Sequence, residues 1–490
     1  MSFPNNFLWG GDISATQIEG GWNEGGKSPV EPDYYLGGNK NKLRYAYYQT
    51  EDGQIGQVMQ YSGQLPKGAK YILKEGENYP NHYASDFYHH FKEDIAMLAE
   101  MGFKALNLTI SWARILPHGI DGGVNQEGIE YYRDVFKELK KYQIEPIVTM
   151  YKYDMPAFYV TDLGGWSNRL LIDEFVEFNR ICLQEYQGLV KYWITFNELN
   201  VLKMFMDGNP KMTQDDKQRI FEESHNQMVA AAKVVKMAHE INQTYKVGCM
   251  IAGQCVYPFT CDPQDVHLAQ KKMQDNFYFF GDTMARGKYP SFSQRVFDEY
   301  GVQLHVSQED KKILNEGKAD FFAFSYYMSS CATTHQDKTE LTNGNLSLGA
   351  KNPYLDATEW GWQIDPTGLK FYLHELYDRY QIPLLIVENG MGAIDQLEED
   401  GTIHDPYRIE YHQKHIQKMK EAIEEGVDLI GYTMWSSIDL VSFSTGELRK
   451  RYGFIYVDVN DEGQGSMKRY RKDSFYWYQK VIASNGENLD

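Results

Sequence analysis

Lys191-Tyr-Trp-Ile-Thr-Phe-Asn-Glu-Leu-Asn200 decides the fold. Val190 to Phe196 is a β-branched and aromatic run, the composition of a buried strand. It ends on an amide and a carboxylate, Asn197 and Glu198. An acid at the carboxyl end of a strand is where an α/β barrel places its chemistry. A lone strand-end glutamate is more simply read as a cap for the next helix. A second stretch changes that balance. Leu384-Leu-Ile-Val-Glu-Asn-Gly-Met391 repeats the pattern, with four apolar residues, then Glu388, then Asn389-Gly390 to turn the chain. Two strand-terminal glutamates, each beside an asparagine, are the parts for glycoside hydrolysis: one acid/base and one nucleophile.

Outward from these two stretches, eight strand candidates alternate with helical or mixed sequence. They are Phe7–Ile13, Ala105–Trp112, Pro146–Tyr153, Val190–Phe196, Lys246–Ala252, Phe321–Tyr327, Leu384–Val387 and Leu429–Trp435. In Asp86–Met101 the residues Phe87, Phe91, Ile95, Leu98 and Met101 recur at helical spacing, and Gly102 ends the run. Ile129–Leu139 shows the same periodicity. The pattern predicts an α/β fold, a single (β/α)8 TIM barrel with extended βα loops and one catalytic domain over residues 1–490. Pro29–Asn81, rich in Gly, Tyr and Lys, has weak periodicity. It reads equally as a loop over the site or as a solvent-facing insertion.

Composition excludes several classes. A net charge of −19 argues against nucleic acid and anionic membranes. An anionic small substrate would therefore need a local basic pocket. No run of 18 apolar residues is present, so no membrane span is expected. Met1-Ser-Phe-Pro-Asn-Asn6 has neither a basic nor an apolar leader region. The five scattered cysteines fit reduced thiols, and a cytoplasmic protein is expected. Cys249, Cys255 and Cys261 lack a metal-ligand spacing and read as packing residues, so neither a metal nor a cofactor is called for. The oligomeric state stays open, a homo-oligomer included.

With both motifs in order, the chain resembles glycoside hydrolase family 1. Thr195-Phe-Asn-Glu198 matches that family's acid/base signature and Val387-Glu-Asn-Gly390 its nucleophile signature. The likeness runs from Phe7-Leu-Trp-Gly-Gly11 to Trp477-Tyr-Gln-Lys480. It implies that Glu198 is the acid/base, Glu388 the nucleophile, and Asn197 the partner of the sugar 2-hydroxyl. It further implies that Tyr327 holds the nucleophile carboxylate, Gln17 binds sugar hydroxyls and Trp435 floors the sugar subsite. Trp362 either lines the aglycone side or packs.

The sub-family is set after strand eight. In Asp439-Leu-Val-Ser-Phe-Ser-Thr-Gly-Glu-Leu-Arg-Lys-Arg-Tyr452, Ser442-Phe443 stands where members acting on plain glucosides carry Glu-Trp. This is similar to the 6-phospho-β-glucosidase branch, in which Ser, Lys and Tyr clamp a sugar 6-phosphate. Ser442 or Ser444, with Lys450 and Tyr452, would fill those roles here. Replacing a carboxylate by hydroxyls and an ammonium removes repulsion and adds charge-assisted donors for a dianion.

Two positions depart from the family. Asn107 stands where it has an arginine, and Lys152 where it has a sugar-binding histidine. The arginine helps keep the nucleophile ionised, and Lys152 would supply that charge from the neighbouring strand. Alternatively, Lys152 grips an unlike substrate, or turnover is impaired. The expected function is retaining hydrolysis of 6-phospho-β-D-glucosides, the partner being a small phosphorylated sugar. A non-catalytic sugar-phosphate binder and a 6-phospho-β-galactosidase are the alternatives. The galactosidase ranks lower because that branch places Trp where Phe443 stands.

Overall fold

Eight parallel strands close into a barrel in chain order, each bonded to the next and the last to the first. The computed structural model describes residues 3–60, 65–209, 211–335, 339–342 and 349–490. The strands are β1 (Leu8–Ile13), β2 (Ala105–Thr109), β3 (Glu145–Thr149) and β4 (Tyr192–Ile194), then β5 (Lys246–Pro258), β6 (Phe321–Ala332), β7 (Leu384–Glu388) and β8 (Leu429–Trp435). All eight fall on expected segments, and the α/β barrel is borne out.

The barrel is a packed core. Ala105, Ile147, Ile194, Met250, Ala323, Leu385 and Val387 fill its interior. A second, larger apolar cluster lies between the strands and the surrounding helices. That arrangement explains why the central strands read as nearly unbroken apolar runs. The helix Phe87–Met101 runs as its periodicity predicts and ends at Gly102 in the left-handed conformation.

Several ends differ from expectation. β2 stops at Thr109, and Trp112 opens a short helix, Trp112–Ile115, rather than closing the strand. β5 and β6 run on past the barrel as a long pair, joined as far as Pro258 and Ala332. Pro29–Asn81, of which residues 61–64 fall outside those described, forms a small antiparallel sheet of Tyr45–Gln49, Ile55–Met59 and Lys70–Ile72. This insertion reaches the loop after β8, where Arg44 and Gln60 each donate to the Phe443 carbonyl at 3.2 Å. It therefore braces that loop, which favours the loop reading over an insertion without a role. All five cysteines are free thiols; Cys261 is exposed, so the packing role expected of it does not hold.

Candidate active site

The carboxyl ends of the strands open into one pocket lined by Gln17, Lys152, Asn197, Glu198, Tyr327, Trp362, Glu388, Trp435, Ser442, Ser444 and Tyr452. Eleven of the twelve residues singled out from sequence thus meet in one place; the twelfth, Lys450, lies behind this wall.

Glu388 closes β7 and is buried. Its two oxygens are held from different strands. Tyr327 donates its hydroxyl to Oε2 at 2.7 Å, and the Lys152 ammonium donates to Oε1 at 2.7 Å. Lys152 arrives three residues beyond β3 and lies with its Nζ 4.0 Å from the centre of the Trp435 ring. The same ammonium donates to Oδ2 of Asp12 at 3.1 Å. Burial alone would lower its pKa, but Asp12 and then Glu388 outweigh burial and raise it, so Lys152 is a lasting cation. After Glu388 the chain turns at Asn389-Gly390. A Cβ at Gly390 would stand 2.1 Å from the Trp435 carbonyl oxygen, which is why only glycine fits.

Glu198 sits just past β4 with a left-handed backbone, φ 42°, unusual for a glutamate and a strained position. The preceding Asn197 is anchored by its backbone N–H to the Tyr151 carbonyl at 2.9 Å. Burial, then the charge of Glu388, push the Glu198 carboxyl up to about 7, against the opposing pull of a hydrogen bond from Ser325 and the charge of Lys152. The Ser325 hydroxyl donates to its Oε1 at 2.5 Å. One carboxyl protonated near neutrality beside a second held by a cation and a phenol is the division of labour that acid/base and nucleophile require.

Gln17, in the short helix Ala15–Ile18 that follows β1, donates to the Val441 carbonyl at 2.8 Å and ties that helix to the loop after β8. That loop folds back on itself, with Ser442 N–H donating to the Glu447 carbonyl. Its Phe443 ring stacks on Tyr153, centroids 4.7 Å apart, and the pair walls one side of the pocket. Lys450 is only 1% exposed, and its ammonium and the Ser442 hydroxyl are buried without a hydrogen-bond partner. The Lys450 Nζ is boxed by the rings of Trp362, Trp360 and Tyr452 at 4.6, 5.0 and 5.4 Å. Burial depresses its pKa to about 7, with Glu447 only partly opposing. Beneath it lies Gly392, where an added Cβ would meet the lysine stem at 2.7 Å.

Sequence reasoning missed Asp12, Ser325 and Trp360. Each had a signal: an acid inside an apolar strand, a lone serine in Phe324-Ser-Tyr-Tyr327, and a second tryptophan in Glu359-Trp-Gly-Trp-Gln363. Among the described residues no His, Cys, Asp and Glu cluster could hold a metal ion, and no helix is long and apolar enough to cross a membrane.

The profile of glycosyl hydrolase family 1 matches residues 1–61 and 69–487. The chain belongs to glycosyl hydrolase family 1. It is 44% identical over 501 residues to the aryl-phospho-β-D-glucosidase BglA of Bacillus subtilis (strain 168), covering all of both chains. It is 44% identical over 497 residues to the 6-phospho-β-glucosidase AscB of Escherichia coli (strain K12), covering 100% of this chain and 99% of that one. Among solved structures, the β-glucosidase from Thermotoga maritima in complex with glucoimidazole superposes with a TM-score of 0.80 at 30% identity, covering 99% of each chain. The family and the glycosidase class read from sequence therefore hold.

Proposed function

We propose that this family 1 glycosidase is a retaining 6-phospho-β-glucosidase, acting as one catalytic unit in the cytoplasm and releasing glucose 6-phosphate from phosphorylated disaccharides or aryl glucosides. Glu388 attacks the anomeric carbon while Glu198 protonates the departing oxygen. Glu198, now ionised, then takes a proton from the water that hydrolyses the ester to Glu388. Tyr327 and Lys152 hold the nucleophile, Asn197 meets the 2-hydroxyl and Trp435 floors the sugar.

The observation that carries the substrate assignment is the Lys450 ammonium, buried without a hydrogen-bond partner in an aromatic box beside the equally unpartnered Ser442 hydroxyl. A buried, unsatisfied cation is costly, so a fold keeps one where a ligand will complete it. A 6-phosphate supplies the charge and the acceptors, and the relatives named above carry phospho-glucosidase names. Hydrolysis of p-nitrophenyl β-glucoside with and without a 6-phosphate tests the reading. A kcat/KM at least equal on the neutral glucoside would overturn it. A non-catalytic binder has no need of a carboxyl protonated near neutrality, and Phe443 weighs against a 6-phospho-β-galactosidase.

A further inference from the structure

Asp12 has no task in that reaction. It is the penultimate residue of β1, and its backbone pairs in register with Asn107 of β2 and Trp435 of β8. The side chain is fully buried; Oδ2 accepts from Lys152, while Oδ1 has no hydrogen-bond partner. Burial pushes its carboxyl well up, Lys152 pulls it back down, and the charge of Glu388 adds to the rise, a contribution that ends when Glu388 is esterified. Packing of β1 does not call for an acid. A carboxylate placed there costs desolvation that one ammonium, shared with Glu388, only partly offsets.

We propose that Asp12 is a positioning residue for the second half-reaction, the counterion that balances Lys152 once Glu388 is esterified. The inference rests on the retaining reading above. As the bond from Glu388 to the anomeric carbon forms, the leaving oxygen departs with the Glu198 proton and the Glu388 carboxylate loses its charge. Lys152 then keeps one anionic partner.

The other groups around Lys152 supply no counter-charge. Trp435 presents only a ring face. Asp154 turns its carboxyl to the Lys152 backbone N–H rather than to the ammonium, and burial pushes that carboxyl up to about 8. Glu198 must cycle its own proton. Among the described residues only Asp12 and Glu388 lie within ion-pair distance of this ammonium. Without Asp12, an unbalanced cation would face the oxocarbenium-like transition state of hydrolysis and raise its energy.

Rapid mixing of the full-length protein with 2,4-dinitrophenyl 6-phospho-β-glucoside separates the two steps, because the activated leaving group makes the first fast. Asp12→Asn is expected to keep the burst within about threefold and to slow the steady state by about tenfold or more. A glycosyl-enzyme adduct on Glu388 would then accumulate in the mass spectrum. Asp12→Ser, also uncharged, carries the same expectation should the first variant fold poorly. In a Lys152→Met background, Asp12→Asn should change the second step less than about twofold, since the two charges act as a unit. Equal slowing of both steps, or the same loss with Lys152 absent, would overturn the counterion role and leave the retaining reading intact. An α-configured sugar product from the wild type would overturn both.

Discussion

The ammonium of Lys152 and the carboxylate of Glu388 meet at 2.7 Å, so the catalytic nucleophile proposed here is held by a lysine just beyond the third strand. Asn107, in the place of the family arginine, is instead taken up by the Thr149 hydroxyl at 3.1 Å. We predict that Lys152→Met lowers kcat/KM about 10- to 150-fold, the worth of a lost hydrogen bond between charged groups. Lys152→His should also slow turnover, and adding Asn107→Arg should recover much of the loss. An improvement from Lys152→His alone would show that the lysine does not stand in for the arginine.

The pH profile should follow Glu198. A carboxyl with its pKa near 7 is protonated below that value and loses its proton above it. Hydrolysis of substrates with poor leaving groups is therefore expected to decline above about pH 7. The Ser325 hydrogen bond favours the charged form, so Ser325→Ala should move that limb upward by about half a pH unit to one. A limb that stays in place, or moves down, would detach it from Glu198.

Lys450 should trade stability for recognition. Its pKa in the folded chain lies near 7, below the ordinary 10.5, so the unfolded chain binds the extra proton between those values. Stability therefore rises with pH through that window, and the penalty is fully present below about pH 7. Lys450→Met is predicted to stabilise the free enzyme by about 2–5 kcal/mol at pH 6.5 and by little at pH 10. It should also raise KM strongly for the phosphorylated substrate alone. Melting curves with and without glucose 6-phosphate check both, and equal kinetic losses on neutral and phosphorylated glucosides would sink the clamp.

A 2-deoxy-2-fluoro glucoside carrying the 6-phosphate should label Glu388, and peptide mapping would locate it. Glu198→Ala should slow poor leaving groups far more than activated aryl ones, with azide restoring turnover as the β-glycosyl azide. Label on any other carboxylate would require the two roles to be redrawn.

The barrel was legible because most buried strands left largely apolar runs, and each of the two glutamates came at the end of one. Strand ends were less so. Ile110-Ser-Trp112 reads as continued strand by composition, yet the chain turns at Ser111 into the short helix that Trp112 opens. The small sheet within Pro29–Asn81 has strands of three to five residues, too short for alternation to stand out. Lys152 was visible as a departure, whereas its partner Asp12 showed only as an acid inside an apolar strand, with nothing to say what it faces. An acid in Trp9-Gly-Gly-Asp-Ile13 carries meaning only once the barrel closes and brings β3 within reach across its mouth. Likewise, the aromatic box around Lys450 joins residues some ninety positions apart, a distance along the chain that no local pattern reports.

Gly392 gives that box its vulnerability. A methyl group there would press on the lysine stem and, at 3.2 Å, on the Tyr452 ring, while the backbone itself is not in a conformation reserved for glycine. The cheapest response is for the flexible lysine to swing aside, leaving the barrel and both glutamates where they are. One codon, outside the residues that line the pocket, thus bears directly on the phosphate selectivity proposed above. A screen for altered diet that mutates only pocket-lining residues would pass it by.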